Sequence, residues 1–579
     1  MAQRSNIDPI RLEVLRNAFD TIADEMALIL MRTAHSPIVR DSMDYSTALC
    51  DAQGRTLAQG VTTPMHLGSF YDAMEHLIER YRDNTHPGDI FIANDPYAAA
   101  GQHLPDIYIV EPIFHGGSIV AWATTLAHHA DVGGIVPGSN ALSAYEIYQE
   151  GLRLPFVKLV DRGVNNDILW EVIGLNVRVP DEVLGDLRAQ MSACVAAKRG
   201  FLEIIERYGM DEVMLYIEEL HDYTERLTRA EISDIPNGVY RFTDHIDGLG
   251  QNPEPVVIQV EVTVKDDAIT ADFSGSSKQV PGGINTPIPF TKACVYAALR
   301  SIMRADVPNC HGFTRAVTVT APKGTVVNSV HPAPCGARGI TGYRTIDCMF
   351  GALAQAVPDR VTADGSGGST LPSFGGYEDG KPFVFAETFM GTWGAAGDHD
   401  GQEGVPHMGA NQSNVPVEMI EANYPLRILR YGIVPDTGGA GKYRGGNALT
   451  RDYEFLGQAG VFSLRTDKRA FPPHGLFGGN PGDAPVNVLV SSTGTRELPV
   501  LVTEPIHLRK GDIFHHITPS GGGYGPANER DPALVLADVH NEKMSVKRAR
   551  EAYGVVIAGE PPQVDVQATN AARASFRPE

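Results

Sequence analysis

The 579-residue sequence predicts a multidomain α+β protein, and three changes along the chain carry that expectation. Apolar residues recur at helical spacing from Pro180 to about Glu231. At Ile235-Pro236-Asn237-Gly238 the period switches to strand alternation, and from about residue 431 short strand-like runs follow one another with turn residues between them. These changes divide the chain into an N-terminal mixed α/β domain (1–233), a central α+β domain with Gly-rich loops (234–430) and a β-rich C-terminal lobe with a terminal helix (431–579).

Taken in order, Asp8-Pro9 supplies an N-cap and a first-turn proline for a helix with Leu15, Phe19, Ile22, Met26 and Ile29 on one face, ending before Ser36-Pro37. Two short strands follow around an Asp51-Ala52-Gln53-Gly54 turn, with Asp44 at the start of the first. Pro64 to Gly68 opens a helix from about Ser69 to Tyr81, and the apolar run Ile90-Phe91-Ile92 delivers Asn94-Asp95-Pro96-Tyr97 to a sheet end. The amphipathic helices of 180–231 expect a partner surface, either that sheet or another subunit. Residues 256–275 read as a hairpin around Asp266-Asp267. The Gly- and Pro-rich stretch from Pro281 to Pro435 reads as loops that cover a site, because Tyr343, Trp393 and Tyr424 interleave it. Ser520 to Gly525 reads as a turn packed on Tyr524, and a helix from Ser545 to Tyr553 precedes a loose polar terminus.

The formal charge of −22 repels nucleic-acid backbones and anionic membranes, which leaves a small molecule or another protein as partner. Six cysteines without C-x-x-C spacing favour a reducing compartment. No signal pattern is present and no apolar run reaches the roughly 18 residues of a membrane span, so a cytoplasmic protein is expected. No G-x-x-x-x-G-K-[S/T] nucleotide loop occurs.

Chemistry concentrates between Asn94 and Gly134, where His103, Asp106, His128, His129 and Asp131 share a stretch otherwise apolar or Gly-rich. Ile107 to Phe114 and Ser118 to Ala127 read as strands joined at Gly116-Gly117. A plain two-residue loop makes Asp106 face Ala127, whereas a one-residue bulge puts it opposite His128. Imidazole and carboxylate at this spacing suit a divalent transition ion such as Zn, Mn or Fe, and the lack of thiolates speaks against a closed structural zinc site. The competing reading makes His103 a turn cap and His128 a satisfied strand-end histidine. His129, next to His128 on a strand, points to the opposite face. Asp131 is expected either to orient a water and take its proton or to cap the Gly133-Gly134 turn. His66, Glu146, Glu150, His399 and Asp400 are further candidates, each more simply read as a capping, ion-paired or turn residue, and Asp44 from its spacing alone is a solvated turn carboxylate.

NDPY at 94–97, HLPD at 103–106 and AHHADVGG at 127–134 resemble the hydantoinase B/oxoprolinase family, which includes the B subunits of ATP-dependent hydantoinases and lactamases and related subunits of acetone and acetophenone carboxylases. The likeness runs over nearly the whole chain, through DYSTALCDAQGR at 44–55, YQEGLRLPFVKL at 148–159, ADFSGSSKQVPGGIN at 271–285, PDTGGAGKYRGG at 435–446 and SGGGYG at 520–525. Tyr45 stands where the family pattern commonly has Phe. The resemblance implies a metal held by His103, Asp106 and His128 with Asp44 as fourth ligand. It also implies a hetero-oligomer, in which a hydantoinase A-like, ATP-binding subunit phosphorylates the ring carbonyl oxygen of a cyclic amide and this chain hydrolyses the activated species. A ketone-carboxylating subunit and a non-catalytic scaffold with a structural metal are the alternatives.

Overall fold

The computed structural model describes residues 7–60, 63–66, 68–366, 368 and 370–574. Its N-terminal sheet has strands β1 (Tyr45–Asp51), β2 (Thr56–Gln59), β3 (Ile90–Ala93), β4 (Asp106–His115), β5 (Ser118–His128), β6 (Val157–Asp161) and β7 (Val164–Asn165), in the order β2-β1-β5-β4-β3-β6-β7. All neighbours are antiparallel. Alternation along β4 sorts its two faces. Ile107, Ile109 and Ile113 pack with the helices Pro9–Thr33 and Pro180–Tyr208, while Tyr108 and Val110 pack with the helix Ser69–Tyr81. Leu15, Phe19, Met26 and Leu30 of the first helix are inaccessible, and each contributes roughly 1.5–3 kcal/mol by burial. Asp8 caps that helix as expected, accepting from the Ile10 amide at 2.9 Å. Of the two helices in 180–231, Pro180–Tyr208 covers the sheet itself, and Met210–Ser233 packs against that helix and the first one.

The central region builds on strands Gly238–Ile246, Val256–Lys265 and Ala268–Asp272, antiparallel in sequence, with Val317–Thr320 added parallel to the last. Their apolar face carries the helices Ile288–Ser301 and Gly339–Leu353. Further on, the Gly-rich stretch holds more regular structure than its composition suggests. Strands Leu371–Glu378 and Lys381–Ala386 join Ala459–Arg465 and Ile506–Arg509 in one sheet, so hydrogen-bonded pairing runs across position 430. Gly375 stands in that strand because a Cβ there would lie 2.3 Å from the Pro137 ring. A five-stranded sheet packs on this one through Phe374, Phe385, Tyr453, Phe462 and Phe514, which makes a sandwich. The backbone of Tyr524 pairs with that of Tyr443 in both directions at 3.0 Å, so Ser520–Gly525 is packed chain. The tail holds the expected helix at Val546–Tyr553, capped by Ser545, and a further helix at Val566–Ala574 where a loose terminus was expected. Among the described residues no helix is long and apolar enough to cross a membrane, and all six cysteines are free and buried.

The helix Gly339–Leu353 is buried along its entire length. Its polar side chains must therefore find partners inside the protein. Arg344 gives its Nε to Asp467 at 2.6 Å, its Nη1 to Asp244 at 3.1 Å and its Nη2 to the Phe471 carbonyl at 3.0 Å. Asp347 takes Lys468 Nζ at 2.7 Å and His407 Nε2 at 3.0 Å. One helix thus ties the central sheet to the sandwich by charge. Arg344→Met is expected to cost about 3–5 kcal/mol in chemical denaturation because it strands two buried carboxylates. Adding Asp244→Asn and Asp467→Asn to it should recover much of that loss; a triple variant no better than the single one would contradict this charge pairing as the source of the stability.

Candidate metal centre

The β4–β5 hairpin turns at Gly116 and Gly117, both at positive φ (56° and 84°), which pins the near end of the register with His115 opposite Ser118. Between Ile113 and Phe114 the register shifts by one residue, leaving Val120 unpaired, and from there Asp106 falls opposite His128. On the other side of β5, Tyr45 lies opposite Ala127, and the Asp44 carbonyl accepts from the His128 amide at 2.9 Å. Asp44, His128 and Asp106 consequently stand in one row across three strands. Directly opposed residues in antiparallel strands share a face. His103 joins them from a compact turn closed by the Asp106 amide on the His103 carbonyl at 3.0 Å. Asn94 holds that turn, donating from Nδ2 to the Leu104 carbonyl at 2.7 Å.

One side-chain atom each from His103, Asp106 and His128 can be chosen so that all lie within 4.8 Å of one another, and all three residues are buried. His103 Nε2 is 3.0 Å from Asp106 Oδ1, yet neither atom makes a hydrogen bond, and His128 Nδ1 is also buried without a partner. Unpaired buried polar groups each cost about 1–3 kcal/mol. Such atoms on three residues whose ligand atoms come within reach of one another fit the donor set of a cation. His103 Nδ1 donates to the Gly336 carbonyl at 2.8 Å, which fixes the ring much as an outer hydrogen bond fixes a ligating histidine. Burial lowers the affinity of both imidazoles for a proton, and Arg338 on one and His103 on the other lower it further, which favours the neutral form that binds metals. Burial alone would raise the Asp106 carboxyl, but the charge of Arg338 opposes it and holds the carboxyl below its usual range.

Asp44 stands outside the tight group of three, at the far end of the row. Burial, then the charge of Asp106, pushes its carboxyl up to about 7, with Arg338 and Gln412 opposing. His66 sits near the cluster, its Nδ1 2.8 Å from Ser46 Oγ, and burial lowers it to about 4; Leu67, beside it, lies outside the described residues. His129 takes the opposite face, its Nε2 3.0 Å from Gln190 Oε1 on the Pro180–Tyr208 helix. Asp131 is fully engaged elsewhere. Its two oxygens accept from the amides of Gly133 (2.9 Å), Gly138 (3.3 Å) and Arg178 (3.0 Å) and from Arg178 Nη1 (2.8 Å). Four donors fill a carboxylate's capacity, so the turn-cap role has these bonds behind it and the water-activating role has none.

Glu150 does not pair with Arg153, which binds Asp95 Oδ2 at 2.6 Å instead. It is buried and accepts from the amides of Cys335 (3.1 Å) and Gly336 (2.6 Å). Burial raises its carboxyl to about 8. Glu146 caps a short 3-10 turn. Asp400 binds Arg530 twice, at 2.6 and 2.7 Å, and His399 pairs at the surface with Asp398. Two arginines that no sequence motif singles out complete the surroundings. Arg338 donates to Asp106 Oδ2 and to Gln102 Oε1, the latter at 2.9 Å, and Arg465 lies alongside. The only trace of Arg338 in the sequence is GARGITGYR, where glycines at 336, 339 and 342 disguise a helix start as a loop.

A family model for hydantoinase B/oxoprolinase matches residues 8–527. The chain is 34% identical over 585 residues to the B subunit of a putative D-/L-hydantoinase of Pseudomonas sp. strain NS671, covering 98% of each. It is 33% identical to the beta subunit of the caprolactamase of Pseudomonas jessenii, over 99% of this chain and 100% of that one. The crystal structure of the ATP-dependent caprolactamase from that organism aligns with a TM-score of 0.92 over 99% of this chain and 100% of that chain, at 32% identity. A nucleotide-free acetone carboxylase structure has the same fold, with a TM-score of 0.91 over 98% of this chain and 82% of that chain, at 19% identity.

If the orphaned atoms are ligands, purified protein should carry about one transition-metal ion per chain. His103→Ala and His128→Ala should each remove most of it while leaving the helical circular dichroism intact. Full metal occupancy in both variants would falsify the assignment.

Proposed function

The chain belongs to the hydantoinase B/oxoprolinase family, and from that premise we propose that it is the metal-dependent subunit of an ATP-dependent cyclic amide hydrolase of the hydantoinase, 5-oxoprolinase or lactamase type. The observation that carries the reading is the trio of buried, unpartnered atoms on His103, Asp106 and His128 at the end of the N-terminal sheet. These residues, with Asp44 as a fourth at the end of their row, would hold a divalent ion such as Zn, Mn or Fe. Such an ion supplies Lewis acidity toward a carbonyl or phosphoryl oxygen.

The chain's own residues then have separate tasks. Arg338 neutralises the Asp106 oxygen turned away from the cluster, and the Gly336 carbonyl, its peptide held by the Ala337 amide on Gly283, orients the His103 ring. Asp131 is a positioning residue. By clasping residues 133–138 and Arg178 it fixes the loop whose Asn140 donates back to the Gly138 carbonyl at 2.7 Å. The activating phosphorylation belongs to a separate hydantoinase A-like, ATP-binding subunit in a hetero-oligomer. The sequence of this chain carries no nucleotide loop, and two relatives that share its length are named as B or beta subunits.

Reconstitution tests this. The chain mixed with an ATP-binding partner subunit should open a hydantoin or lactam ring with consumption of ATP, and a chelator should stop ring opening without unfolding the protein. Unfolding on chelation would favour a structural ion in a scaffold. Alone, the chain should hydrolyse no ATP; robust turnover without a partner would move the phosphate chemistry into this sequence.

Asp131→Asn separates the two roles of that residue. As a clasp it should keep its metal, melt earlier and lose less than about tenfold in turnover, whereas loss of a proton acceptor costs about a hundredfold or more. A hundredfold loss in a variant with normal metal content and melting temperature would restore Asp131 as the base.

A further inference from the structure

Six arginines are buried among the described residues. Five have a carboxylate partner: Arg338 has Asp106, Arg344 has Asp467 at 2.6 Å, Arg444 has Glu403 at 3.1 Å, Arg451 has Glu387 at 2.7 Å and Arg530 has Asp400 at 2.6 Å. Arg465, only 6% exposed, makes no ion pair among the described residues. Its Nε is buried with no hydrogen-bond partner, and its Nη1 has Asn140 Oδ1 at a long 3.4 Å.

The position of this unpaired cation gives it meaning. Arg465 ends the strand Ala459–Arg465, and its Nη2 lies 3.3 Å from where a Cβ on Gly339 would stand. Gly339 opens the buried helix directly after Arg338, whose guanidinium is on Asp106. Asp44, Asp106, Arg338 and Tyr343 all act on Arg465 electrostatically, and burial pushes its guanidinium down to about 10. A buried charge without a counter-ion destabilises a fold, and a long apolar side chain would fill the same volume without that cost. The planar fork of a guanidinium matches the two oxygens of a carboxylate or phosphoryl group.

We propose that Arg465 is the receptor for an oxyanion of the substrate, a phosphoryl or carboxylate group seated on its free guanidinium edge beside His103, Asp106 and His128. The inference rests on the hydrolase reading above, in which the substrate arrives already phosphorylated and is a natural occupant. Gly339 leaves room for the guanidinium to lie flat on the helix start, and Asn140 limits its swing.

The test is calorimetric titration of the full chain with inorganic phosphate and with acetate at fixed ionic strength, alongside melting without either anion. The native chain should bind at least one of them. Arg465→Met, matched for metal content, should weaken that binding about tenfold or more, yet melt at or above the native temperature because it removes an unpaired buried charge. Binding of phosphate alone identifies the phosphoryl group as occupant, and acetate binding of equal strength identifies a carboxylate. Should the Met variant fail to fold, Arg465→Lys keeps the charge and loses the fork, and the same weakening is expected of it. No binding to the native chain, undiminished binding in the variant, or a lower melting temperature with unchanged binding each overturns the proposal. Because binding is read on the isolated chain, it stands or falls separately from turnover in the assembled complex.

Discussion

A one-residue bulge decides whether Asp106 and His128 share a face of the sheet. In an unbulged hairpin with the same Gly116-Gly117 turn, Asp106 would face Ala127, and its side chain would lie on the opposite face of the sheet from that of His128. The shift between Ile113 and Phe114 brings the two into one row and, through β1, adds Asp44. The rest of the N-terminal domain secures that row. The helix Pro180–Tyr208 locks the opposite face through Gln190, which donates to the Ile107 carbonyl at 2.9 Å, and β3 delivers Asn94 to the turn that carries His103.

The row is finished by residues from far along the chain. Arg338 arrives on the central domain's buried helix and Arg465 on a sandwich strand, so three regions meet at one cluster. That helix can be wholly buried because its charges are paired within the protein, Arg344 with Asp244 and Asp467, and Asp347 with Lys468. The same pairing fixes the start of the helix, where Arg338 reaches Asp106. Stability and function therefore draw on one element: its far turns hold domains together by charge, and its first turn presents charge to the site.

Local periodicity made the N-terminal half legible. The helix Ser69–Tyr81, the strands β4 and β5 and the bulged alternative that aligns Asp106 with His128 all follow from spacing, because each signal lies within a few residues of its consequence. Asp44 required family resemblance, since nothing in spacing tells which sheet end a distant strand will join. Glycine hid other elements. The strand Leu371–Glu378 contains Gly375 and Gly376, placed for close contact with Pro137 and the Ala459 carbonyl, and it reads as loop. Gly342 in the buried helix leaves room for the Phe290 ring, 2.6 Å from where its Cβ would be. Glu150 and Arg465 meet residues 185 or more positions away, a relation to which no local pattern points.

The tautomer of His103 sets the electrostatics that the proposed metal would answer. A carbonyl oxygen only accepts, so the hydrogen of the neutral ring must be on Nδ1, facing Gly336. The Nε2 lone pair is then turned toward a carboxylate oxygen at 3.0 Å, and Asp106 is held ionised by Arg338. Two lone pairs at that distance repel, and the low-dielectric surroundings sharpen the repulsion. A proton between them would resolve it by making an imidazolium. Burial opposes that outcome, as does the positive charge of Arg338, since both lower the proton affinity of the ring. A divalent cation would resolve it without protonation and would also take a ligand atom of His128, which a single proton cannot do. The Ala337 amide sustains the arrangement from behind, since it shares a peptide plane with the Gly336 carbonyl and donates to the Gly283 carbonyl at 2.8 Å: a carbonyl free to rotate away would let Nε2 carry the hydrogen and donate it to Asp106.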